Sequence, residues 1–204
     1  SDLSTNSMLK KSLARLSSGL RITSPADDAG GLAVSMKMQS AIKRTETVIS
    51  VVGNSTSFLQ TQDGALATAA KVLERISELR TLQNDPTKST ADKNNYETEF
   101  DSLQSQLTNI FGEEFNGVAL FASSASSLAV AVTEDGDTTV NISQAVLNTG
   151  EVSNIANSSN ALSSANVSVG AITTAIQNVA TLRAANGAQN SQLNFAAELD
   201  RKST

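Results

Sequence analysis

Two prolines are all this chain contains, and between them lies an uninterrupted stretch with helical patterning. Val52, Leu59, Leu66 and Leu73 recur seven apart, Ala69 and Ile76 lie three beyond members of that series, and Val48 lies four before its first. Apolar residues at this spacing form a seam along one side of a helix, and a seam of this kind has to be covered by another helix. A continuous helix over residues 28 to 84 would reach roughly 85 Å at the standard rise per residue, more than an ordinary globular domain needs. Gly53 and Gly64 each weaken such a helix by up to about 1 kcal/mol relative to alanine, so partner helices must compensate.

The matching seam comes from the other end of the sequence. A final helical pattern runs from about residue 161 to 199, with Leu162, Val169 and Ile176 in one series, Ala165, Ile172 and Val179 in another, then Leu193 and Ala197. Arg183, Asn186 and Asn190 interrupt it on the same side. Polar residues at seam positions cost stability but select register and partner. Residues 48–76 and 162–193 can therefore bury one another when antiparallel. The expected fold is mainly α: an elongated, antiparallel, coiled-coil-like bundle of N- and C-terminal helices with a small β-hairpin region.

Local signals punctuate the rest. Leu9, Leu13 and Leu16 belong to a first helix that Gly19 can end, and Pro25 with Asp27 and Asp28 can open the next. Asn84-Asp85-Pro86 breaks the long helix, and Ser89 or Thr90 can cap a following one whose apolar face is Tyr96, Phe100, Leu103, Leu107 and Phe111, ending at Gly112. Asn116-Gly117 marks a tight turn. Residues 128–132 and 138–142 are short β-like runs, and Glu134-Asp-Gly-Asp137 between them signals a hairpin rather than a calcium loop, since the closing glutamate is missing. These signals divide the chain into 1–27 (end of a helix and a loop), 28–121 (helices and a turn), 122–160 (a short β region) and 161–204 (the last helix).

Composition narrows the function. The 204 residues contain no cysteine and no histidine, which removes disulfides, thiolate nucleophiles, imidazole bases and zinc sites of the usual kind. A net charge of −5 disfavours nucleic acid and anionic membranes as partners. No apolar run is long enough to span a bilayer. Aromatic residues make up only 3% of the chain, so a compact globule would bury little area per residue and an extended bundle fits better. Neither a cofactor nor a catalytic group is expected. Asp27 and Asp28 are adjacent and diverge, so they suit capping better than acid–base work. Asn54, Asn141, Asn157 and Asn166 fall in N-x-S/T sequons, a pattern that a Ser- and Thr-rich chain produces by chance.

Four segments resemble bacterial flagellin, in that family's order. They are Leu16-Ser-Ser-Gly-Leu-Arg-Ile with the DDA and GLA wording that follows, and Thr61-Gln-Asp-Gly-Ala-Leu with Leu73-Glu-Arg-Ile-Ser-Glu-Leu. The third is Phe115-Asn-Gly-Val-Ala-Leu, and the fourth Leu182-Arg-Ala-Ala-Asn-Gly-Ala-Gln-Asn. The resemblance implies a structural subunit of the extracellular flagellar filament, self-assembling into a helical tube for motility. Its N- and C-terminal helices would pair as a rod, and only residues 122–160 would stand where the family inserts outer domains. Copies of itself would be the main partner, with an export apparatus and export chaperone by analogy.

The chain starts at Ser1 inside a helical pattern, so we expect the family's tube-forming ends to be trimmed and the fragment to be largely monomeric. Sugars on Ser or Thr of residues 122–168 are open by the same analogy. Arg75, Glu78 and Leu79 match positions in the family segment recognised by an innate immune receptor of vertebrates. Glu74, Ser77, Arg80 and Thr81 depart from that segment's best-known form, which favours a solvated face with an Arg75–Glu78 pair that meets a neighbouring subunit. Competing readings are a hook–filament junction protein, which shares the terminal helices, and a flagellin-like surface adhesin or glycan binder. The chain offers no aromatic platform for sugar rings, and the zinc protease insert of some flagellins requires histidine.

Overall fold

A computed structural model describes residues 6–10 and 28–203. The chain divides into two compact units, residues 1–47 and 48–204. In the first, residues 6–10 are helical, and helix α1 (Ala29–Gln83) begins. Asp28 opens α1: its Oδ1 accepts the Gly31 N–H at 2.9 Å, occupying one of the donors that every helix start leaves free. The roles expected of Gly19, Pro25 and Asp27 lie outside the described residues. Over its first unit α1 exposes Val34, Met36, Met38 and Ile42.

Within the second unit α1 carries two buried series rather than one. Val52, Leu59, Leu66 and Leu73, with Ala69 and Ile76, form the first. Phe58, Ala65, Val72 and Leu79 form a second, also seven apart and one residue out of phase. Adjacent heptad series widen a narrow seam into a broad apolar face, which lets one helix meet partners on two sides. The helix stops at the Asn84-Asp85-Pro86 turn. There Asp85 Oδ1 accepts from the Thr87 N–H and hydroxyl at 2.8 and 2.7 Å.

Helix α2 (Thr90–Phe111) starts with a capping box: Ser89 Oγ accepts the Asp92 N–H, and Asp92 Oδ2 accepts the Ser89 N–H. Phe100, Leu103, Leu107 and Ile110 are its buried face, with Tyr96 and Phe111 half-buried at the margins. The short loop before it returns α2 alongside α1, and Arg75 of α1 pairs with Glu99 of α2 at 2.9 Å.

Two small hairpins follow. Strands β1 (Glu114–Phe115) and β2 (Val118–Ala119) pair across Asn116 and Gly117, whose φ values of 50° and 77° are those a two-residue turn of the primed type requires. The Phe115 ring stands edge-on to Phe58, 6.1 Å between centroids. Strands β3 (Ser127–Ala131) and β4 (Thr139–Ser143) pair Leu128 with Ile142 and Val130 with Val140. In the loop between them Asp135 Oδ1 accepts from the Thr133 hydroxyl and the Asp137 N–H.

Helix α3 (Gly150–Ala156) and a single 3-10 turn (Ala165–Val167) lead to helix α4 (Val169–Ser203). The last helix thus begins later than the sequence pattern suggests. Residues 157–168 are mostly Asn and Ser, whose side chains bond their own backbone and compete with helix: Asn157 caps Ser159, Ser164 caps Asn166, and Ser168 caps Ala171.

Candidate functional site in the helix seam

Side-chain bonds fix how α4 and its lead-in lie along α1. Arg80 Nη1 donates to the Leu162 carbonyl, Arg183 pairs with Asp63 at 2.9 and 3.1 Å, and Asn186 Nδ2 donates to the Leu59 carbonyl at 2.8 Å. As one partner advances from 162 to 186, the other retreats from 80 to 59. The two segments are antiparallel.

One half of this seam is apolar. Leu66, Ala69, Leu73 and Ile76 are fully buried on α1, as are Ile172, Ala175 and Val179 on α4. Their spacings alternate three and four, the knobs-into-holes pattern, and each large side chain removed from water is worth about 1.5–3 kcal/mol.

The other half is polar. Gln62 occupies the seam position between Leu59 and Leu66 and is buried. Its Nε2 donates to the carbonyls of Leu120 and Ser143, and its Oε1 accepts from Asn186 Nδ2 at 2.9 Å. One turn on, Gln189 Oε1 accepts the Ser143 N–H and its Nε2 donates to Ser143 Oγ. One network therefore joins α1, α4, β4 and the end of the first hairpin. A cavity of about 260 Å³ lies against it, lined in part by Ser126, Gln144 and Leu182. Asn186 and Gln62 satisfy each other in one register only, because a shift of α4 by one turn would take Asn186 Nδ2 from its acceptors and leave Gln62 Oε1 buried without a donor. Arg183 sits at the rim, its guanidinium held above its usual range by the hydrogen bond to Asp63.

Two further clasps hold the segment before α4. The buried Gln104 of α2 donates through Nε2 to the carbonyls of Ile155, Asn157 and Asn160, covering the open end of α3. Glu97 accepts the Leu162 N–H with both carboxylate oxygens while Arg80 takes its carbonyl. Both backbone groups of one buried residue are thus held by opposite charges from α1 and α2.

The seam residues named from the sequence fall as follows. Val52, Leu59, Leu66, Leu73, Ile76, Leu162, Ile172 and Val179 are buried, and Ile176 is half-buried. Val169 is a correction: it is 42% exposed, because α4 starts there and the 3-10 turn before it breaks the count of seven from Leu162. Val167, in that turn, is buried in its place. Leu79 is a second correction. It was expected at a subunit or receptor contact, yet it has 0% exposure and completes the Phe58 series in the core.

Arg75 and Glu78 do stand on the surface. Arg75 Nη1 pairs with Glu78 at 2.8 Å while its Nε and Nη2 take both oxygens of Glu99. Hydrogen bonds to Glu99 and then Glu78 hold the guanidinium well above its ordinary pKa. Among the described residues no cluster of acidic side chains has the arrangement of a metal site, and no helix is long and apolar enough to cross a membrane. Gln62, Gln104 and Gln189 were not singled out from the sequence.

Comparison with known proteins fits this geometry. The family description "Bacterial flagellin N-terminal helical region" matches residues 3–126, more than half of the chain. A flagellin of Escherichia coli O127:H6 is 35% identical over 133 residues, which is 65% of this chain and 24% of that protein. A Bacillus subtilis flagellin is 37% identical over 125 residues, 57% of this chain and 40% of its own length. The chain thus spans well under half the length of these relatives. The crystal structure of Bacillus cereus flagellin superposes with a TM-score of 0.61 at 20% identity, covering 72% of this chain and 86% of that one, which shows a shared fold. On the strength of the matched N-terminal helical region, this chain belongs to the bacterial flagellin family.

Proposed function

We propose that the chain is a structural subunit of the bacterial flagellar filament, tiling with copies of itself into a helical tube outside the cell. The single observation carrying this reading is the antiparallel lock between α1 and α4, made by Asp63 with Arg183 and by Leu59 and Gln62 with Asn186. Such a lock stiffens the paired helices within the second unit, and family membership supplies the kind of assembly. The work is burial and surface complementarity, which needs no catalytic group and no cofactor.

Neighbouring copies are the main partner, and an export apparatus with its chaperone delivers the subunit unfolded. The first unit's exposed Val34, Met36, Met38 and Ile42 are surface that assembly would cover. The ion cluster of Arg75, Glu78 and Glu99 meets a neighbouring subunit, and Leu79 takes no part in that face. Electron microscopy of the full-length protein after seeding tests the proposal. Long tubes of uniform width are expected. Protein that stays dispersed under seeding, with its helices folded, would refute it.

A further inference from the structure

Only two Asn-Gly pairs occur in this chain, Asn116-Gly117 and Asn186-Gly187, and the structure places them in opposite surroundings. We propose that Asn116 is a site of spontaneous deamidation and isoaspartate formation, and that Asn186 is protected from the same chemistry by the seam.

The reaction needs three things: a mobile side-chain amide, a following backbone nitrogen with room to approach it, and water. Asn116 and Gly117 form the exposed loop of the first hairpin. The ladder pairs Phe115 with Val118 and leaves these two residues outside it. Even a Cβ built on Gly117 would meet nothing within 4 Å, so the attacking nitrogen is unhindered. The Gly117 nitrogen bonds to Cγ of Asn116, the Cγ–Nδ2 bond breaks, and ammonia leaves with the displaced proton. Water then opens the five-membered imide at either carbonyl, giving aspartate or isoaspartate. One water is consumed, one ammonia is released, and nothing is oxidised or reduced.

Asn186 differs in its side chain and backbone, although Gly187 is as exposed and as open as Gly117. Asn186 is buried, its Nδ2 is bonded to the Leu59 carbonyl and to Gln62 Oε1, and Gly187 lies inside α4. Reaction there requires the seam to open first.

The product has a local consequence. Aspartate adds a third carboxylate beside Glu113 and Glu114, while isoaspartate inserts an extra backbone carbon into a two-residue loop. That lengthening disturbs the Phe115–Val118 pair and the contact of Phe115 with Phe58.

The test incubates the folded chain in mildly alkaline, oxygen-isotope-labelled water and maps peptides over time, alongside an enzymatic isoaspartyl methyl-transfer assay. Label should enter at residue 116 more than about tenfold faster than at 186, because only the latter must wait for local opening. In denaturant both sites should react at similar rates. Asn116→Gly should remove the methyl-transfer signal from the folded protein. Equal rates at the two sites in the folded state, or a folded chain that stays unlabelled at 116 while the denatured chain reacts there, would overturn the proposal.

Discussion

The two halves of the seam between α1 and α4 do different work. Leu66, Leu73, Ile172 and Val179 are fully buried apolar side chains, and neighbouring registers of such an aliphatic seam differ little in what they bury. Around Leu59, Gln62, Asn186 and Gln189 the same seam carries amides that are satisfied in only one alignment. The apolar half supplies cohesion, and the polar half selects the register. The polar half also reaches beyond the two helices, since Gln62 and Gln189 both bond Ser143 of β4. The hairpin region is thereby tied to the helix pair through the buried amides that help set the alignment.

The largest effect should come from the apolar half. Leu66→Ala is expected to cost about 2–5 kcal/mol, through lost burial and the cavity left behind, measured by denaturant unfolding. The register should survive, so the Arg183–Asp63 pair should persist in the folded variant. A cost under that range would mean the two helices are held chiefly by their polar contacts.

Asn186→Leu should cost about 1–3 kcal/mol, because Gln62 Oε1 and the Leu59 carbonyl lose a buried donor. Adding Gln62→Leu removes the stranded Oε1 but also takes the donor from the Leu120 and Ser143 carbonyls, so stability should not recover while the helices become free to slip. If the double variant keeps the parent alignment, the amides do not set the register. Arg183→Gln comes next: the pair with Asp63 is partly exposed, so the loss should be at most about 1 kcal/mol and should shrink in high salt.

The smallest effect lies outside the seam and serves as a control. Hydrogen bonds from Ser89 hold the Asp92 carboxyl below its usual range. A depressed folded-state pKa means that its contribution is present above the unfolded value and lost as pH falls through the folded one. Asp92→Asn should therefore flatten the acid limb of the stability curve slightly and leave the seam alignment unchanged. An acid limb identical to that of the parent protein would show that this cap contributes nothing measurable.

Signals confined to a few residues were legible in the sequence. The helix cap expected at Ser89 or Thr90, the Asn116-Gly117 turn and the hairpin around Glu134 to Asp137 each depend on neighbours in the chain, and the structure has them with Ser89 as the cap. The first heptad series of α1 was legible for the same reason. The second series was not: counting from Leu59 hides Phe58, Ala65, Val72 and Leu79, so nothing in the heptad reading opposed the family resemblance that put Leu79 at a surface contact. Val169 was misplaced because a spacing of seven was counted across a segment that is not helical.

The glutamines were harder still, since Gln104 and Gln62 find their carbonyl partners 51 to 81 residues away. Two signals could have drawn attention to Gln62: its position between Leu59 and Leu66 in the seam, and its place in the Thr61-Gln-Asp-Gly-Ala-Leu segment.

The most direct measurement of the central claim exploits the absence of native cysteine. Asp63→Cys with Arg183→Cys should be joined within one molecule by a short thiol-reactive linker. The pair Asp63→Cys with Asn190→Cys, one heptad or about 10 Å further along α4, should be joined far more slowly. Equal yields from the two pairs, or linkage only between separate molecules, would contradict a helix pair locked in a single antiparallel register.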